Sequence, residues 1–582
     1  MATRIIFRDF TPASAWRNKY RRGNRIFEIW DANLHHGDVR PFACPEALCE
    51  GTEAYKTLYP LPECPCLGFL DERDIVQGFC QDQFFHIENG ILRQSTTQEL
   101  CNHTPSCRAG VPFNPSPPSA SASCSGCDGV SVSYVITYIT EHAGIQVEGP
   151  PSPPSNIVIG SGATPNASVS WTAAPPGYCI VATRLYRTEA EFGDNNPEVR
   201  SSEYVLVAEF EGSEPRTFID NLSTSQTGQP LLTYDPMAFP APTSLVSLAR
   251  TEDGLAVADQ RRVYISIPGA PQFTYDGVVE IQDTIRKIVA VGNTIYVLTD
   301  HHPVAIQFRI GEVLNIDRVT VYRKLPLTSL RSVAVYAGEV IFASEYSLYR
   351  WSMNRYGENA QSVLTPILSP EQWKNIDPST VIGTAYEYGY IFTSAGIDYS
   401  MMLEFGEDGT DTAAGTSLMP ISYIDADAFA TDHSGHIIYR QGTNIYKWDW
   451  RRDLCSDFYP HDHVRPVVCE QCDCCPWHIK LFYDNEGKNH FSHMRVEWDE
   501  RSAQKLDISF HIHEFGREID RTDTLEIISS RGFGIPFTNV SYQSAYAYIR
   551  GCGIMSEVRL ATSAHELTYN TTSPYSGMEM DD

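Results

Sequence analysis

Apolar residues in this chain recur at every second position in short runs, and the runs are punctuated by glycine, proline, asparagine and serine. From Ser133 the residues read SYVITYIT. Ser133, Val135, Thr137 and Ile139 therefore fall on one face of an extended segment, and Tyr134, Ile136, Tyr138 and Thr140 on the other. The runs ASVSWTA, CIVATRLYRTEAEF, EYVLVAEFEG and RTFIDN follow at the spacing of sandwich strands. This pattern predicts a mainly β protein.

With Trp171 and the Tyr186-Arg187 step, the segment from Val130 resembles a fibronectin III module of about one hundred residues. Further along, a glycine turn followed by an apolar strand and a second strand recurs five times between Leu245 and Trp450. The leading glycines are Gly254, Gly292, Gly338, Gly389 and Gly435, at separations of 38, 46, 51 and 46 residues. Those separations are close to the roughly 40 to 50 residues of a four-stranded propeller blade. A propeller must close its ring, so a sixth blade, or a strand swapped in from another part of the chain, is expected, with the N-terminal segment as the obvious donor. A string of ordinary hairpins in a sandwich is the competing reading.

The expected fold class is mainly β and multidomain: a β-propeller, an inserted fibronectin III or Ig-like sandwich and a C-terminal β-sandwich platform. A chain of 582 residues exceeds what one hydrophobic core supports. The boundaries read from the texture are 1–128 for a Cys-rich N-terminal scaffold, 129–235 for the inserted module, 236–455 for the propeller and 456–582 for the C-terminal platform with its own Cys cluster.

Composition narrows the function. The formal charge of −28 opposes phosphate binding, which disfavours a DNA-gripping role. It leaves room for an acidic wall past which DNA slides. No run approaches the roughly 18 to 20 apolar residues of a membrane helix, and MATRIIFRDF lacks the apolar core of a signal peptide. Synthesis in the cytoplasm of the producing cell is expected.

Of 16 cysteines, nine lie between Cys44 and Cys127 and five between Cys455 and Cys475. Their spacings suit disulfides, free buried thiols or a metal, and neither group has the repeated CxxC frame of a zinc ribbon. The best metal candidates are His461 and His463 with Cys469, Cys472, Cys474 and Cys475, because alternate residues of a strand place both histidines on one side. His511 and His513 form a second such pair. No GxSxG, HExxH or GxxxxGK[ST] occurs, and no blade carries a repeated Ser-x-Asp-x-Gly-x-Thr-Trp box. Neither catalytic residues nor a cofactor is therefore expected. Trp351, Trp373 and Trp450 read as core between blades.

Taken in order, SYVITYITEHAGIQVEGPPSPPS, VADQRRVYISIPGAPQFT, VGNTIYVLTDHHPVAI, LRSVAVYAGEVIFASEYSLYRWS, LTPILSPEQWKNIDPST and SEVRLATSAHEL resemble the nozzle proteins of short-tailed bacteriophages. The resemblance runs from about Val130 to Leu567; the cysteine-rich stretches depart from it. It implies a homo-oligomeric ring, six-membered in the relatives, hung below a tail adaptor protein. Tail fibres or other appendages dock on such a ring in some relatives, and genomic DNA passes through its channel without specific binding. It implies location in the virion tail. The basic run Arg17 to Arg22 would then belong at contacts with other tail proteins. A carbohydrate-binding or glycoside-hydrolysing propeller acting on cell-surface glycans is the alternative.

Overall fold

The computed structural model describes residues 4–7, 25–30, 32–33, 40–42, 45–122, 129–160, 164–188, 203–223, 226–232, 239–310, 314–354, 357–362, 368, 370–405, 417–450, 477–490, 493–498, 504–514, 517–527, 532–536, 541–551 and 555–561. The protein is mainly β and built from many antiparallel sheets. It divides into two compact units, one of Met1–Glu72 with Thr328–Asp582 and the other of Arg73–Leu327. Residues 1–128 are thus shared between the two.

In the Arg73–Leu327 unit, the strands Ser119–Ala122, Ala167–Trp171 and Arg216–Asp220 form one sheet. A second sheet runs in the order Ile145–Glu148, Tyr134–His142, Ile180–Thr188, Tyr204–Glu211. The two enclose a core that includes Tyr134, Ile136, Tyr138, Val169, Trp171 and Leu185. The alternation read from SYVITYIT is therefore real, but its second face is buried as well, because Val135 packs with Tyr186 and Leu231.

The segment Gly149-Pro-Pro-Ser-Pro-Pro-Ser155 finishes that second sheet. Proline has no N–H, so only Gly149, Ser152 and Ser155 can donate, and they do so to the carbonyls of Tyr138 (2.9 Å), Ile136 (2.9 Å) and Tyr134 (2.8 Å). The serine hydroxyls then accept the reverse bonds, from Ile136 N to Ser152 Oγ at 3.1 Å and from Tyr134 N to Ser155 Oγ at 2.9 Å. The three-residue repeat completes the pairing of Tyr134–His142, and its prolines guard the outer edge against a further strand.

The same unit holds two stacked sheets. One has the strands Ser247–Arg250, Leu255–Ala258, Arg262–Ser266, Gln272–Glu280 and Phe239–Pro240, the other Ile285–Val291, Thr294–Thr299, Val304–Ile310 and Leu314–Val321. They share one core, in which Ala256, Val263 and Ile265 of the first meet Ile288, Val297 and Ile306 of the second.

Three more four-stranded sheets belong to the other unit. They are Ala334–Tyr336, Glu339–Ala343, Leu348–Asn354, Gly357–Ser362; then Ile382–Tyr386, Gly389–Thr393, Ser400–Glu404, Ser417–Ile421; then Ala428–Thr431, Ile437–Gln441, Asn444–Trp448 and, from the N-terminal segment, Glu46–Cys49. Within this unit the first strands of consecutive sheets adjoin. Trp351, Trp373 and Trp450 are each 1% exposed and serve as core.

Each of the five glycines sits in or beside the hairpin between the first and second strands, so a sheet begins one strand before its glycine rather than at it. Two physical reasons operate. Gly338 has φ +81°, which side chains disfavour. At Gly389 space decides, since a Cβ there would lie 1.8 Å from the Leu403 carbonyl oxygen.

Two further sheets belong to the unit of Met1–Glu72 with Thr328–Asp582. Arg4–Phe7 joins Met555–Ala561, His493–Trp498 and Gly532–Pro536, and Arg25–Trp30 joins Trp477–His490, Ser541–Gly551, Gln504–Glu514 and Arg517–Ile527. The C-terminal strands read from the sequence are present, each sheet gaining an N-terminal strand at one edge.

Candidate functional site

The metal candidates His461, His463, Cys469, Cys472, Cys474 and Cys475 lie outside the described residues. His511 and His513 lie on Gln504–Glu514, in register with Tyr546 and Ser544 on one side and with Asp520 and Glu518 on the other. Among the described residues no group of three or more His, Cys, Asp and Glu is placed to hold a metal ion.

The described N-terminal cysteines other than Cys80 are oxidised. Cys49 is bonded to Cys66 and Cys107 to Cys179. Cys64 and Cys101 are disulfide-bonded too, while Cys80 is a free, exposed thiol. Cys107 and Cys179 are 72 residues apart, beside a parallel bridge between Arg108 and Tyr178. Nothing in the spacing of the cysteines marks that pairing.

The charged clusters pair internally, though the buried Arg187 Nε has no hydrogen-bond partner among the described residues. Inside the sandwich Arg187 donates through Nη1 to Asp220 at 2.7 Å and to the Leu222 carbonyl at 2.9 Å. Asp220 also accepts from the Tyr134 hydroxyl at 2.8 Å. Burial, and then the neighbouring Asp220 carboxylate, hold the Tyr134 phenol well above its ordinary pKa. On the opposite face of that sheet Glu148 accepts from Arg184 (2.7 Å), Tyr186 (2.7 Å) and Thr137 (2.5 Å).

In the turn before Ile437–Gln441, His436 Nδ1 lies 2.9 Å from Asp432 and its Nε2 lies 3.6 Å from Asp449. Burial would raise the Asp432 carboxyl, but hydrogen bonds from the His436 side chain and from the His436 and Ser434 backbone outweigh it and hold the pKa low. Asp283 accepts from His302 N at 3.0 Å and lies 2.9 Å from His302 Nδ1.

Asp425 differs. Burial, with Asp427 and Asp398 nearby, raises its pKa. Asp427 itself is held by Arg440 at 3.1 Å and by the Gly442 N–H at 3.0 Å. A carboxyl with a raised pKa is the kind of group on which general-acid chemistry draws. Asp425 is exposed, and sequence reasoning did not single it out, since the nearness of Asp427 and Asp398 depends on how the turn that carries it is packed.

The fifth sheet ends in the N-terminal strand. Glu46–Cys49 pairs with Asn444–Trp448 at Cys49↔Ile445, Ala47↔Tyr446 and Glu46↔Lys447. Beneath it Leu58, Ala428, Ile438 and Ile445 form a core on which Cys49 and Cys66 pack. Glu46–Cys49 thus brings an N-terminal strand to the edge of this sheet. No helix among the described residues is long and apolar enough to cross a membrane.

Neither a family model nor a curated protein sequence matches the chain. Three of the solved structures similar to parts of it are these. A glutaminyl cyclase of Myxococcus xanthus is 11% identical over 36% of this chain and 92% of its own, with a TM-score of 0.19. The extracellular domain of a putative hybrid two-component system from B. thetaiotaomicron is 12% identical over 53% and 43%, with a TM-score of 0.20. An exo-β-1,3-galactanase of Phanerochaete chrysosporium is 9% identical over 67% and 100%, with a TM-score of 0.17. At such scores these likenesses carry no argument about fold or activity.

Proposed function

We propose that the chain is a structural virion protein, a nozzle subunit that forms a ring at the distal end of a short phage tail and lines the channel for genome ejection. The observation that carries this reading is the run of five glycine-hairpin antiparallel sheets in chain order, the last completed by Glu46–Cys49. A ring of blades closed by a strand from the far end of the chain accounts for that arrangement. On this reading residues 236–455 with Glu46–Cys49 are the propeller, 129–235 the fibronectin III-like module and 456–582 a platform. The quoted motif order supports the same assignment.

Two further features agree with it. Oxidised Cys49–Cys66 and Cys107–Cys179 suit a particle that works outside the cell. The charge of −28 suits a wall that DNA, with one negative charge per ~1.7 Å, passes without specific binding. The partners on this reading are copies of the same chain, six in a ring, a tail adaptor and appendage proteins.

Electron microscopy of particles carrying a tagged chain tests the proposal. Label on a ring at the tail tip is expected; a label absent from particles, or a purified chain that stays monomeric at every concentration, would overturn it. The glycan-acting alternative would take Asp425 as its candidate acid. Under it, release of reducing sugar from host envelope polysaccharide would vanish in Asp425→Asn, whereas the nozzle reading expects no release by either protein.

A further inference from the structure

We propose that the Cys49–Cys66 disulfide is a redox latch on the strand Glu46–Cys49, closing the outer edge of the fifth sheet in an oxidising medium and freeing it under thiol reduction. This goes beyond the nozzle reading and does not depend on it.

The two ends of the disulfide are held very differently. Glu46–Cys49 meets its neighbour at three register points with an irregularity between Ile445 and Tyr446, and Glu46 and Ala47 are exposed. So short a strand contributes little pairing of its own. Cys66, by contrast, belongs to a fixed hairpin, Thr57–Leu58 with Gly68–Phe69. The start of that hairpin is tied down from the sheet side, because Arg331 Nη2 donates to the carbonyls of Lys56 and Asp427, and Arg440 Nε donates to the Tyr55 carbonyl at 3.0 Å. Leu58 is 6% exposed in the core under the sheet. Close fit adds to this, since a Cβ on Gly68 would lie 2.3 Å from the Tyr55 ring.

The disulfide therefore ties a loosely paired strand to an anchored one. Beyond the strand, Thr52 donates through N (2.7 Å) and Oγ1 (2.8 Å) to the Thr443 carbonyl. Cys49 and Cys66 are half-buried, within reach of a small thiol.

Opening is a two-electron reduction. A thiolate of a dithiol reductant attacks one sulfur, the S–S bond breaks, and Cys49 and Cys66 each leave as a thiol after taking a proton. The reductant departs as its own disulfide. Reclosure is the reverse exchange with a small-molecule disulfide. The bridge spans 17 residues, and closure of a loop that size shifts the opening equilibrium by about a hundredfold.

Hydrogen exchange on the full chain tests this with dithiothreitol-reduced protein and with Cys49→Ser/Cys66→Ser. Both should exchange about a hundredfold faster over 46–49 and 444–448 than the oxidised chain, with Gly389–Thr393 unchanged. Oxidised Cys107→Ser/Cys179→Ser should keep full protection at 444–448. Unchanged protection at 444–448 in the reduced chain and the double variant would overturn the latch. Loss of protection at Gly389–Thr393 as well would also overturn it, by making the disulfide a staple of the whole unit.

Discussion

Arg187 and Asp220 form an ion pair at 2.7 Å with side chains 2% and 0% exposed, across the interior of the two-sheet sandwich. The strands that carry them, Ile180–Thr188 and Arg216–Asp220, belong to different sheets, so the pair joins the layers. Arg187→Met leaves the Asp220 carboxylate buried and uncompensated. It should cost roughly 3 to 5 kcal/mol in the calorimetric transition of this domain. Arg187→Met with Asp220→Leu should recover most of that loss; a double variant no better than the single one would contradict the account.

The serines of the Pro-rich segment act as surrogates for backbone pairing. Ser152→Ala removes the acceptor for Ile136 N and Ser155→Ala the acceptor for Tyr134 N. Each should cost about 1 kcal/mol, read as roughly fivefold faster exchange of the corresponding amide. Ser152→Pro removes the donor to the Ile136 carbonyl as well, and should be clearly worse than Ser152→Ala. Equal effects of the two substitutions would refute the pairing.

Acid should loosen the turn that carries Asp432. Its folded-state pKa lies below the ordinary value of 3.8, so its contribution is present above that value and is lost as pH falls through the lower, folded pKa. Melting of the wild type and of Asp432→Asn should therefore differ at about pH 6 and draw together as pH falls well below 3.8. A difference that does not shrink in acid would assign the effect to shape rather than charge.

Gly389→Ala should be among the more damaging single changes in its unit. The new Cβ would lie 1.8 Å from the Leu403 oxygen, a backbone atom fixed by the adjoining strand Ser400–Glu404. A loss of roughly 2 to 4 kcal/mol is expected in the melting of the full chain. Gly292→Ala, where a Cβ meets nothing within 4 Å, should cost less, through its φ of +53° alone.

Alkylation of the native chain without reductant should modify Cys80 and spare Cys49, Cys66, Cys107 and Cys179. Mass spectrometry of the peptides reads this directly. Label on Cys49 or Cys107 in unreduced protein would show the bridges to be unformed.

Local pattern and global arrangement separate cleanly in this chain. Strand positions from Tyr134 to Trp448, the glycine hairpins and the burial of Trp351, Trp373 and Trp450 were legible in the sequence, because a period of two and a glycine turn are properties of neighbouring residues. The edge strand Glu46–Cys49 was not legible: four residues with no strong alternation carry little signal, and about 400 residues separate them from Asn444–Trp448. Only the packed chain decided the burial of both faces of Tyr134–His142, the Arg187–Asp220 pair, the Cys107–Cys179 bridge and the environment of Asp425. Each depends on which distant surface comes to lie against a residue, and burial, charge pairing and sulfur proximity are set by that surface rather than by adjacent residues.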